Sequence, residues 1–262
     1  MRPGRVGPPS SGRGSAGGDR SIAGARSPSG YHRRVEPDNA KPEIEVETFH
    51  LADFTHPAES DLAGRPGLVM GYAVRHPDGV LLFDTGLGLG NAQVTEWLQA
   101  QVNRLPVMLR ERGIHPDDVL AIANCHLHLD HCGQNLWFPD RPIYAQAAEY
   151  EATRAEDYTV PEWVDFPGVR YELIRGEREL LTGVRLVPTP GHTPGHQSML
   201  IDGAGSRIAL VGQASYTRAE WEGSDAPEVS GLGGAWDQDQ YRRSREMLRA
   251  FEPDRVFFGH DR

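Results

Sequence analysis

The sequence predicts an α/β domain in which two β-sheets pack together with helices on the outside. Strand-like apolar runs cluster in both halves of the chain, helical runs intervene, and the pattern returns loosely in the second half. Histidines also stand at the ends of three predicted strands, which places them along one edge of the sheets.

The folded part is expected to begin near Pro42. Residues 44–49 alternate apolar and charged side chains, the period of a half-buried strand. Residues 52–67 read as a loop, being polar and broken by Pro57, Gly64, Pro66 and Gly67. The apolar runs 68–74 and 80–83 flank His76-Pro77-Asp78-Gly79, a hairpin signal, and the second run exits at Asp84-Thr85-Gly86. Asn91 caps a predicted helix that reaches about Val102, with Val94, Trp97, Leu98 and Val102 at helical spacing. A second helix over 105–112 closes on Gly113. The strand 119–123 is followed by a short strand at 143–145, a helix to about Arg154, and a loop carrying Tyr158, Trp163 and Phe166. Strands are predicted at 171–174, 184–187, 198–201 and 208–211, with Asp202-Gly203-Ala204-Gly205 turning between the last two. A helix from about Gln238 to Phe251 precedes a final strand over 255–258.

Composition separates a leader from this domain. Residues 1–42 are rich in Gly, Pro, Ser and Arg with little to bury, so they are expected to be disordered. They hold 8 of the 27 Lys and Arg but 3 of the 37 Asp and Glu, which leaves residues 43–262 with a net charge of −15. A domain that acidic is poorly suited to binding nucleic acid through its phosphates. No apolar run approaches a membrane span or a secretory core. The two cysteines, Cys125 and Cys132, both fall inside the histidine motif, so no disulfide framework is in view. A soluble cytoplasmic protein is the expectation.

The chemistry concentrates in Asn124-Cys125-His126-Leu127-His128-Leu129-Asp130-His131-Cys132-Gly133. Four potential metal ligands fall here within six residues. If an extended segment ends at about Asn124, His126 and His128 project from the same side, Asp130 and His131 occupy the following turn, and Gly133 lets the chain bend tightly. Imidazole and carboxylate at this spacing suit a divalent cation such as zinc. A second constellation, Thr189-Pro190-Gly191-His192-Thr193-Pro194-Gly195-His196, follows a strand, and a third, Phe258-Gly259-His260-Asp261, ends the last one. Six of the eleven histidines lie in these three places, which favours a metal centre over isolated structural imidazoles.

These motifs, with Leu82-Phe83-Asp84-Thr85-Gly86 before them and Ala214-Ser215-Tyr216-Thr217 between the second and third, resemble the metallo-β-lactamase superfamily. Within it the chain is most similar to the N-acyl homoserine lactonase branch, over about residues 44–262. The resemblance implies an αββα sandwich of two mixed sheets with outer helices. It also implies a zinc-dependent hydrolase that opens a lactone or similar ester by attack of metal-held hydroxide, hence a quorum-quenching activity on a small-molecule substrate. By the same resemblance, His126, His128 and His192 hold a first Zn2+, and Asp130, His131 and His260 a second. Asp84 is then an outer carboxylate orienting an imidazole. His196 supports its loop, Tyr216 points at the substrate carbonyl, and Asp130 relays a proton to the leaving alkoxide.

One departure stands out. Where the family places an aspartate that bridges both metals, this chain has Gln213. An amide offers one neutral oxygen where a carboxylate offers two anionic ones, so a two-metal site would carry one more positive charge and the second metal should bind more weakly. His260 adds to that expectation, since it lies two residues from the end of the sequence, where chains fray unless tied down. Cys132 is expected to pack rather than replace a ligand. Two rivals follow: a catalytically weakened relative that binds a metabolite, and another hydrolase of the superfamily, such as a thioesterase of the glyoxalase II kind. The aromatic loop of Tyr158, Trp163 and Phe166 is a candidate apolar wall for an acyl chain.

Overall fold

The computed structural model describes residues 40–223 and 234–262. The expected leader, residues 1–42, therefore lies outside the described residues as far as position 39.

The first sheet is built by strands β1 (Glu45–Thr55), β2 (Pro66–His76), β3 (Gly79–Phe83), β4 (Gln101–Val102), β5 (Val119–Ala123), β6 (Pro142–Gln146) and β7 (Arg170–Ile174). Its order is β4-β1-β2-β3-β5-β6-β7. The β1–β2 and β2–β3 pairs are antiparallel, whereas β3, β5, β6 and β7 run parallel. The second sheet holds β8 (Arg178–Leu181), β9 (Val184–Pro188), β10 (Gln197–Asp202), β11 (Arg207–Gly212) and β12 (Arg255–Phe258), in the order β12-β11-β10-β9-β8. It is antiparallel except for the β11–β12 pair. Both sheets are thus mixed.

Strand periodicity sorts the apolar residues into layers, since alternate side chains leave opposite faces. Met70, Tyr72 and Val74 of β2 face Met199, Ile201, Ile208 and Leu210 of β10 and β11, forming the core between the sheets. Val69 and Ala73 of the same strand point the other way, towards Leu98 of α1 (Ala92–Leu98) and Leu105 and Leu109 of α2 (Leu105–Glu111). On the far side Leu200, Ala209 and Val211 meet Leu248 of α7 (Gln238–Ala250). The result is an αββα sandwich. Among the described residues no helix is long and apolar enough to cross a membrane.

Several expectations need correction. The strand expected over 44–49 continues as β1 to Thr55, so residues 52–55, read as loop, pair with β2 and β4 beyond a register shift between His50 and Ala52. Val102 is not helical. Gln99 adopts the left-handed conformation (φ 49°) and ends α1, and Gln101–Val102 then pairs with β1. Strand β8 and the short helices α5 (Pro161–Val164) and α6 (Arg218–Glu222) carry patterns too brief to read by periodicity.

Candidate metal centre

Strand β5 delivers the histidine motif at one end of the first sheet. The chain stays extended through His128 (φ −66°, ψ 157°) and then enters the one-turn helix α3 (Leu129–Cys132), which carries Asp130 and His131. Hydrogen bonds fix this crossing. Asp84 Oδ1 accepts from the Cys125 amide at 2.7 Å, Asn124 Nδ2 donates to the His131 carbonyl at 2.8 Å, and the Thr85 amide donates to the same carbonyl at 2.8 Å. Gly133 has a helical φ of −64°. Its hydrogen matters because a Cβ there would lie 2.0 Å from the Gly88 amide nitrogen.

The second sheet supplies the other histidines. Strand β9 leads into the His192 loop, where Gly191 (φ 141°) lies against the start of α7. Strand β12 ends at His260, and the end of the chain is firmly tied there. The Gly259 amide donates to the Gly212 carbonyl at 3.0 Å, the Met70 amide to the Gly259 carbonyl at 2.9 Å, and the Arg218 amide to Asp261 Oδ2 at 2.8 Å. The Tyr72 hydroxyl also donates to the Phe258 carbonyl. The expected fraying at His260 is therefore corrected: both sheets hold it.

Two groups of ligand atoms result. His126 Nε2 lies 2.9 Å from His128 Nδ1 and 3.1 Å from His192 Nε2, and His192 Nε2 lies 3.3 Å from His128 Nδ1. Beside them, His131 Nε2 and His260 Nε2 are 3.3 Å apart, with Asp130 Oδ2 at 3.7 and 3.6 Å from them. The remaining ring nitrogens decide what these atoms carry. His192 Nδ1 lies 2.8 Å from the Gly234 carbonyl, His260 Nδ1 2.8 Å from the Leu68 carbonyl, and His131 Nδ1 3.0 Å from Asp84 Oδ2. Oxygens of that kind only accept, so each Nδ1 bears a proton, and the Nε2 atoms of His192 and His260, whose rings are neutral, turn bare lone pairs inward. Lone pairs facing one another at about 3 Å repel unless a cation lies between them, and the donor set of imidazoles and one carboxylate fits a divalent ion.

The electrostatics agree for four of the five imidazoles, and the fifth, His131, would have to release its inward proton to hold a metal. Burial holds His126 and His192 well below the ordinary imidazole range, and neighbouring imidazoles lower them further. Burial also lowers His128 and His260 to about 4, against the pull of Asp130. These four are neutral, as ligands must be. His131 goes the other way: burial lowers it, but Asp130 and Asp84 raise it to about 9. Burial raises Asp130 less than His131, His260 and His128 lower it, so it is a carboxylate. Burial and Asp84 keep Cys125, whose Sγ lies 3.0 Å from His126 Nδ1, a thiol.

His196 is spent on support. Its Nε2 accepts from the Gln213 amide at 3.0 Å and its Nδ1 meets Thr189 Oγ1 at 2.8 Å. The Gln213 side chain reaches the His131 imidazole, so the amide occupies the centre rather than turning away. Cys132 packs beneath, with Sγ 3.3 Å from the His128 carbonyl, and takes no ligand position.

A cavity of about 340 Å³ opens over the ligands. One wall is apolar, made by Phe54, Val69, Leu87, Trp97, Leu98 and Leu129, while His128, Asp130, Gln213, Tyr216 and His260 line its floor. The Tyr216 ring stacks on His260 at 4.7 Å between centroids, and burial pushes its hydroxyl up, so it remains a proton donor. Of the expected aromatic wall only Tyr158 reaches the cavity. Trp163 and Phe166 pack into the core on the outer face of the first sheet. The sequence reading missed His56, whose Nε2 lies 3.4 Å from the Tyr216 hydroxyl. It stood in a stretch taken for loop, and nothing local marked it.

Comparison with known proteins places this arrangement. Residues 64–260 match the Metallo-beta-lactamase superfamily. The chain belongs to that superfamily. An N-acyl homoserine lactonase of Bacillus cereus is 36% identical over 203 residues, covering 72% of this chain and 80% of that protein. The N-acyl homoserine lactonase AiiA of Bacillus thuringiensis subsp. kurstaki is 34% identical over the same length. Among solved structures, an N-acyl homoserine lactone hydrolase with the product N-hexanoyl-L-homoserine bound at its catalytic metal centre superposes with a TM-score of 0.69 at 29% identity, covering 85% of this chain and 94% of that one. Superfamily membership and the inward-facing donors together imply a divalent metal.

Proposed function

We propose that this superfamily member is a zinc-dependent lactonase that opens N-acyl homoserine lactones or closely similar neutral lactones. The observation that carries the reading is the ring of converging imidazole nitrogens at the floor of a half-apolar cavity, in a chain whose relatives are named for this activity. His126, His128 and His192 would hold the first ion, and Asp130, His131 and His260 a second. A bound divalent ion supplies a nucleophile at neutral pH, by lowering the pKa of its water to about 7, and polarises the ester carbonyl.

The chain's own residues do the rest. Tyr216, kept protonated by burial, donates a hydrogen bond to the carbonyl oxygen as negative charge develops there. Asp130, ionised and lining the cavity, accepts a proton from the attacking nucleophile and hands it on to the alkoxide released from the ring. The apolar wall takes the acyl chain and keeps water from it. Gln213 weakens the second ion relative to the first, so one tightly held zinc and one labile zinc per chain is the state we infer. With His126, His128 and His192 complete, the first ion alone suffices for a catalytic zinc arrangement.

The test is ring opening followed by acid release in a weakly buffered assay. Zinc-loaded protein is offered N-acyl homoserine lactones, simple lactones and thioesters side by side. Turnover of the acyl homoserine lactones ahead of the others supports the reading. Faster turnover of thioesters points to the thioesterase alternative, and no turnover by metal-loaded protein points to a binding protein.

A further inference from the structure

One buried carboxylate has no place in the chemistry above. Glu149, in α4 (Ala147–Ala152), is 1% exposed and lies behind the metal centre. Its Oε1 accepts from the Leu127 amide at 2.9 Å and from the Tyr158 hydroxyl, and its Oε2 accepts from Thr193 Oγ1 at 2.6 Å. The Gly195 amide donates to it as well. The partners are specific in position. Leu127 is the residue between His126 and His128, Thr193 follows His192, and the Tyr158 ring lies 4.6 Å from the His128 ring. Each of the three imidazoles of the first group thus has a neighbour bonded to this one side chain. The two loops come from different sheets, and Glu149 joins them.

We propose that Glu149 is a positioning residue that sets the geometry and affinity of the His126, His128 and His192 site by fastening its two loops together. The inference rests on the metal-centre reading above. A carboxylate is required because four donors converge on it: a glutamine offers one acceptor oxygen, and its amide hydrogens would face a group that also donates. The close fit of the loop to α4 supports the same role, since a Cβ on Gly195 would lie 2.1 Å from the Glu149 amide nitrogen. Tyr158 ties in the cavity as well, because its hydroxyl is committed to Glu149 and it offers the cavity a ring face.

The experiment uses the full chain, stripped with a chelator and titrated with Co2+ against a competing chelator, with visible spectra recorded. It compares wild type, Glu149→Gln and Thr193→Val, and also records the melting of each chelated protein. Removal of an outer contact that orients metal ligands costs ten- to a hundred-fold in affinity. We expect a loss in that range for Glu149→Gln with altered cobalt bands and a smaller loss for Thr193→Val. Both are measured well below the melting of each chelated variant, which is itself lowered by the unpaired buried donors. Wild-type affinity and spectrum in Glu149→Gln overturn the proposal, as does a change confined to the melting of the chelated protein. If Glu149→Gln does not fold, wild-type affinity in Thr193→Val overturns it. Failure of the wild-type chain to bind Co2+ overturns the metal-centre reading itself and this proposal with it, a result distinct from the others.

Discussion

Replacing Gln213 by aspartate tests the electrostatic account of the second ion directly. The Gln213 side chain reaches the His131 imidazole, so a carboxylate in its place would lie roughly 4 Å from a cation shared by His131 and His260. One negative charge against a divalent ion at that distance is worth about 8 kcal/mol at an effective dielectric constant of about 20. Burying the carboxylate, and its repulsion by Asp130, take back several kcal/mol. A net gain of about 1–3 kcal/mol remains, which is roughly a ten- to hundred-fold tighter second ion. Elemental analysis after gel filtration, with chelator competition for each step, reads this out. The wild type should retain close to one zinc and Gln213→Asp close to two. Two tightly held ions in the wild type, unaffected by the substitution, would refute the reasoning.

Two further outcomes follow from the centre. Tyr216→Phe keeps the ring stacked on His260 but removes the donor, so kcat for lactone opening should fall about a hundred-fold with zinc content unchanged. A kcat within about two-fold of wild type in steady-state assays would remove Tyr216 from the mechanism. The chelated protein should also melt with a maximum near pH 6.5. The unfolded chain binds protons at His128 and His260 near pH 6.5, while the fold withholds them to about 4, so stability falls as pH drops through that window. His131 acts oppositely: raised to about 9, its contribution is complete below pH 6.5 and is lost as pH rises through 9. Scanning calorimetry between pH 4.5 and 9 checks both limbs, and a flat profile contradicts the assignment.

Most strands of the second half were legible because their apolar runs stop at a glycine, as 208–211 before Gly212 and 256–258 before Gly259 illustrate, whereas β8 was not read. The His126 and His128 pairing was legible too, since it needs only the alternation of an extended chain. What escaped depends on partners distant in sequence. Gln101–Val102 is a strand because β1 lies beside it, and His260 is anchored because β2 and β11 donate to and accept from its neighbours. Glu149 was not singled out at all, because its role depends on the fold bringing Leu127, Thr193 and Tyr158 to it. Trp163 and Phe166 show the converse error, where loop composition suggested a surface and tertiary packing took the rings inside.

The two sheets are consecutive in the chain: β1 to β7 make the first and β8 to β12 the second. His126, His128, Asp130 and His131 therefore belong to one contiguous segment, and His192 and His260 to the next. Neither segment contains a full set of donors, so the centre is a property of their seam. Cleavage in the connection around Gly176 would leave two fragments that recognise each other through the inter-sheet core, and zinc would act as a rivet that makes their reunion hard to reverse. In that sense a bound divalent ion would be as much a fastener between two half-proteins as an instrument of their chemistry.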